Sequence, residues 1–167
     1  MKKLSIIILS MLLFTGLFAK GDTKADAMKK LTPLIGKWKT ISLYPEKGLK
    51  VPGDLEYRWV LGKDYMLCDF VGRHPEREYW AAIAMIKFDA DKNRYLSYEF
   101  FNAADPTIMT GYWISPSTIR FEIKDENGSA GIDYTVKKDG SIYQENWALP
   151  KGKPKRITLK TDYTRKK

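Results

Sequence analysis

Residues 54–70 read Asp54-Leu55-Glu56-Tyr57-Arg58-Trp59-Val60-Leu61-Gly62-Lys63-Asp64-Tyr65-Met66-Leu67-Cys68-Asp69-Phe70. Leu55, Tyr57, Trp59 and Leu61 alternate with Asp54, Glu56 and Arg58. A period of two puts the first set on one face of a strand and the second on the other, one dry and one wet. Leu61-Gly62-Lys63-Asp64 carries turn residues, and a second strand-like run starts at Tyr65. Strand, tight turn, strand is an antiparallel hairpin.

The same unit recurs along the chain. Ten runs rich in aromatic and β-branched residues fall near 37–44, 54–61, 65–72, 79–89, 94–102, 107–115, 118–124, 131–137, 141–149 and 156–164. Ile119, Phe121 and Ile123 oppose Arg120, Glu122 and Lys124, and Ile157 and Leu159 oppose Thr158 and Lys160. Tight turns at 61–64, 89–93, 115–117 and 138–140 alternate with mostly longer connections at 45–53, 72–78, 103–106, 125–130 and 150–155. In a meander of neighbouring strands these two sets lie at opposite ends. The expected fold is all-β, an up-and-down antiparallel barrel of about ten strands with a closed bottom, an open mouth and no exposed edge. An open sandwich is the alternative. Met28 to Leu34, stopped by Pro33 and Gly36, adds a short N-terminal helix.

The first nineteen residues read as an address. Lys2 and Lys3 precede an apolar run from Leu4 to Ala19, shorter than the roughly 20 residues a membrane span needs. Small residues follow, as in a secretory signal peptide. Cleavage after Ala19 or after Ala27 fits, and residues 20–30 read as a loose leader before a single domain over 31–167. The expected location is periplasmic or secreted, with no stable membrane insertion after cleavage. A formal charge of +9 favours anions without naming a partner, and export argues against nucleic acid. Cys68 is the only cysteine, so no intrachain disulfide forms and the fold stands on packing.

Gly36-Lys37-Trp38 at the start of the first strand resembles the opening of calycin barrels such as lipocalins. Leu34-Ile35-Gly36-Lys37-Trp38, then Glu56-Tyr57-Arg58-Trp59-Val60-Leu61-Gly62, then Phe88-Asp89-Ala90-Asp91-Lys92-Asn93-Arg94-Tyr95 is similar to a bacterial family of secreted lipocalin-like domains of unknown function. The resemblance covers most of residues 31–164 and implies a barrel, not an activity. Related ten-stranded barrels include haem-binding nitrobindins, which hold iron through a histidine on a late strand. The sole histidine here, His74, falls in the 72–78 loop and no late strand has one, so no haem or other cofactor is expected. In lipocalins an arginine near the chain end lies over the Gly-x-Trp tryptophan. The meander places Arg165 at the same end as Trp38, and this pair with Gly36 is expected to be structural.

One histidine and one cysteine cannot build a multi-ligand His/Cys metal cluster. There is no glycine-rich phosphate loop and no Gly-x-Ser-x-Gly elbow. Two carboxylates share faces with apolar residues: Glu145 with Tyr143, Trp147 and Leu149, and Asp69 with Tyr65, Leu67 and Val71. Read as inward, each orients a ligand or acts as a base with a raised pKa; read structurally, each bonds a tyrosine hydroxyl or is misplaced by a bulge. Aromatic residues make up 13% of the chain, too many for surface decoration. Tyr57, Trp59, Tyr98, Tyr112, Tyr143, Glu145 and Trp147 are the candidate ligand-binding residues of an interior for a small hydrophobic or aromatic molecule. An enzyme using an inward carboxylate and a filled barrel with an envelope role are the rival readings. No catalytic residue is assigned.

Overall fold

The computed structural model describes residues 22–74, 77–102 and 104–166. The proposed signal peptide over 1–19 lies outside the described residues.

Ten strands follow one another round a closed barrel: β1 (Gly36–Tyr44), β2 (Leu49–Val60), β3 (Tyr65–His74), β4 (Arg77–Asp89), β5 (Arg94–Phe101), β6 (Ala104–Ser115), β7 (Thr118–Asp125), β8 (Gly128–Val136), β9 (Ile142–Pro150) and β10 (Arg156–Arg165). Each pairs antiparallel with the next, and β10 closes on β1 with Trp38 opposite Arg165 and Leu43 opposite Lys160. Closure leaves no edge strand. β3 reaches His74, which the sequence reading put in a loop. Leu61 leaves the dry face of β2 for a tight helical turn, with Gly62 at φ 67°, and is exposed. β10 carries a bulge between Ile157 and Leu159. Their partners Trp147 and Asn146 face opposite ways, so the shared face expected for Ile157 and Leu159 is broken.

A plug closes the bottom. Helix α1 (Lys24–Lys30) is capped by Thr23, whose hydroxyl accepts from the Asp26 amide at 3.2 Å, and a 3-10 turn follows at Thr32–Leu34. Ala27, Met28, Leu31 and Leu34 are buried against Trp38, Phe88 and Tyr95. The Tyr95 hydroxyl donates to the Ala27 carbonyl at 2.7 Å and accepts from Trp113 Nε1 at 3.1 Å. This corrects the expectation of a loose leader over 20–30: from Lys24 onward the segment is part of the core, because its apolar stripe is what seals the barrel.

Gly36 shows why the first strand opens as it does. Its φ is 138°, and a Cβ there would stand 2.6 Å from Arg165 Nη1. Arg165 uses that space to donate to the Ile35 carbonyl at 3.1 Å, with its guanidinium 4.4 Å from the Trp38 ring centre. Trp38, fully buried, donates Nε1–H to the Leu34 carbonyl at 2.9 Å.

Candidate functional site

Side-chain parity divides the barrel into a packed lower half and a hollow upper half. Below, Trp38, Tyr57, Met66, Ile119 and Phe121 fill the interior down to the plug. Above them the inner faces enclose about 140 Å³ of free space. Leu55, Phe70, Ile132 and Leu159 give its apolar walls, and Ala82 and Ala84 on β4 leave the room. Small side chains there, facing Phe101 and Glu99 across the hairpin, keep the upper barrel from filling.

The polar groups of the cavity form three sets. Tyr163 donates to Gln144 Oε1, and Gln144 Nε2 donates to Asn146 Oδ1 at 2.6 Å. The hydroxyls of Ser42 and Thr161 bond across the β1–β10 seam at 2.9 Å. Glu99, 7% exposed, accepts from Ser97 Oγ at 3.2 Å. Burial raises the Glu99 carboxyl above its ordinary pKa, with the Ser97 bond pulling only partly the other way.

Beneath these groups Tyr57, Tyr134, Tyr163 and Cys68 meet. Burial pushes all three phenols well up and the Cys68 thiol to about 12. All four are neutral at ordinary pH, so Cys68 is not a thiolate nucleophile. The Tyr57 hydroxyl is close enough to Cys68, Tyr134 and Tyr163 to interact with all three, but it makes no well-formed hydrogen bond with any of them.

The seven candidate ligand residues separate on this map. Tyr57 faces inward, directly under the cavity. Trp59 also faces inward, but lower, packed against the core beside Met28. The other five lie on the outer wall. Tyr98 faces out beneath Lys87, whose ammonium is 5.7 Å from its ring centre. Tyr112, 37% exposed, donates to Glu122 at 2.8 Å. Tyr143 and Glu145 bond each other at 3.3 Å outside the barrel, with Lys155 4.0 Å from the carboxylate. Trp147 is 5% exposed although it faces outward. Its ring lies over Gly131, where a Cβ would come within 2.5 Å, and carries Arg120 and Lys155 at 5.0 and 4.9 Å. Its Nε1 donates to Asp133 at 3.3 Å.

Two orientations are therefore corrected. Glu145 points outward, because Ile142, Gln144 and Asn146 hold the inner face of β9. Asp69 is exposed, because Met66, Cys68 and Phe70 hold that of β3. Among the described residues the inward carboxyl of the cavity is Glu99, which the sequence reading missed. Among the described residues no group of three or more His, Cys, Asp or Glu side chains is placed to hold a metal ion, and no helix is long and apolar enough to cross a membrane.

No protein-family model matches the sequence, and no curated protein matches it. Among solved structures, Rv2717c from M. tuberculosis superposes with a TM-score of 0.63 at 14% identity, covering 87% of this chain and 100% of that one. At that identity the likeness speaks to the fold alone: the chain is a closed ten-strand barrel with a solved counterpart.

Proposed function

We propose that the chain is an exported, lipocalin-like barrel whose upper half binds a small, mostly apolar ligand. The hollow above Tyr57 carries this reading. Free space of about 140 Å³ is close to the roughly 150 Å³ at which an engineered apolar cavity takes up benzene. That is room for one ring or a short chain, with polar handles at Glu99, Gln144 and Asn146. Export is supported by Lys2, Lys3 and the apolar run to Ala19. A catalytic reading would now rest on Glu99 in place of Glu145, and conversion of an identified ligand separates it from binding.

Native mass spectrometry of protein purified without denaturation tests the proposal. The expected result is a small co-purifying mass that is lost when Ala84→Phe fills the cavity. An empty wild-type barrel whose melting point no single-ring compound raises would overturn it.

A further inference from the structure

We infer that the interior takes a small organic ammonium, a single ring or short apolar body bearing a primary amine, with Glu99 as the anchor of its charge. This deepens the reading just given and rests on the interior being a ligand site.

Among the described residues around the cavity, Glu99 is the one carboxyl, and no Lys or Arg joins it. Ser97 Oγ is its only hydrogen-bond partner among the described residues, on Oε1, so the second oxygen is available to a ligand. An unpaired buried carboxylate is costly, and a protein meets that cost by protonating the group or by giving it a cation. Among the described residues none brings a cation to this one. A ligand ammonium does, and its three donors have no acceptor among them to clash with the carboxylate. The hydroxyl oxygens of Ser42 and Thr161 are further acceptors, on the opposite wall of the cavity. Leu55, Phe70, Ile132 and Leu159 suit the apolar body. A carboxylate ligand would meet like charge in a dry site, where repulsion is poorly screened.

Among the described residues, the remaining titratable groups that feel Glu99 are Cys68 from β3, Tyr134 from β8 and Tyr163 from β10. All are held neutral by burial, so none competes for the cation. Because burial also raises Glu99, ammonium binding displaces a proton from whatever fraction of the carboxyl is protonated.

Isothermal calorimetry with benzylamine, benzyl alcohol and benzoate tests the assignment, since the three share a ring and differ in the head group. On the wild-type chain benzylamine is expected to bind about tenfold or more tighter than benzyl alcohol, and benzoate weakest. In slightly acidic solution, two buffers of different ionisation heat should show proton release with benzylamine. In Glu99→Gln the preference and the proton release should vanish while benzyl alcohol still binds. Benzyl alcohol binding the wild type as tightly as benzylamine, or benzylamine binding unchanged in Glu99→Gln, would overturn the ammonium assignment and leave the interior site standing. Binding of none of the three, with no rise in melting temperature, would overturn both. Should Glu99→Gln fail to fold, the wild-type comparison of the three probes decides.

Discussion

The guanidinium of Arg165 lies 4.4 Å from the centre of the Trp38 ring, across the seam where the last strand meets the first. One contact joins the two ends of the domain: Arg165 also donates to the Ile35 carbonyl, which leads out of the plug. A meander with an even number of strands returns the chain to its starting end, so this meeting follows from the topology.

Removing the guanidinium should loosen that seam. Arg165→Ala is expected to cost roughly 0.5–1 kcal/mol, the value of an exposed cation over an indole. That lowers the melting temperature by a few degrees, since 1 kcal/mol moves a domain of this size by roughly 2–4 °C. Tryptophan emission should shift with it. Unchanged melting and emission would mean that the contact does not hold in solution.

Gly36→Ala should be worse than Arg165→Ala, for two separable reasons. A φ of 138° strains any side chain, and the new Cβ would press on Arg165 Nη1. Denaturant unfolding of the two single variants and the double variant forms a cycle. The double variant is expected to recover the clash but not the strain, and so to be more stable than the sum of the singles. Simple additivity would remove the clash from the account.

The ladder of ten strands was legible because turns and alternation are local. The interior was not, because on two strands the binary pattern is inverted. On β5 the inner face is Tyr95, Ser97, Glu99 and Phe101, while Tyr98 and Phe100 face out. On β9 the inner face includes Gln144 and Asn146, while Tyr143 and Trp147 face out. The outer aromatics are served by cations and by Gly131 from other elements of the barrel, pairings that a strand's own alternation does not show. Tyr95 and Ile142 stand at the closed end, where the plug requires apolar contact. Parity counted from them puts Glu99 and Gln144 inside.

On the proposed reading of an exported chain, the plug favours cleavage after Ala19 over cleavage after Ala27. Cutting after Ala27 would remove the Thr23 cap, the buried Ala27 and the carbonyl that accepts from Tyr95. If the chain is exported as proposed, its mature form is expected to begin at Lys20, and intact-mass measurement checks it. A mass beginning at Met28 would mean that the barrel does without its helix.

Glu99 predicts a pH dependence of a definite sign. Its folded pKa is raised by burial, so the folded state holds this proton more tightly than the unfolded chain. The stability it contributes is present below the ordinary glutamate pKa and is lost as pH rises through the folded value. Ligand-free wild type should therefore weaken relative to Glu99→Gln across that interval and stay below it at neutral pH. Parallel stability curves for the two proteins from pH 4 to 8 would show a carboxyl without a raised pKa.

Tyr57→Phe is a test of the cavity floor with an unusual expected direction. Removing a buried tyrosine hydroxyl ordinarily costs about 1 kcal/mol, because a hydrogen bond is lost. Tyr57 is 1% exposed, and its hydroxyl has no partner in bonding geometry. Such a group loses its water on folding and gains nothing for it, a penalty of roughly 1–3 kcal/mol. Phenylalanine keeps the ring and its edge-on contact with Tyr134, whose centre is 6.4 Å away. The ligand-free variant is therefore expected to be as stable as wild type or more so. Tyr163→Phe is the control, since that hydroxyl donates to Gln144 and its loss should destabilise. Chemical denaturation of the three proteins gives the comparison. A loss of 1 kcal/mol or more in Tyr57→Phe would mean that its hydroxyl is bonded in solution to Tyr134, Cys68 or an internal water, and that the floor of the cavity is a satisfied network.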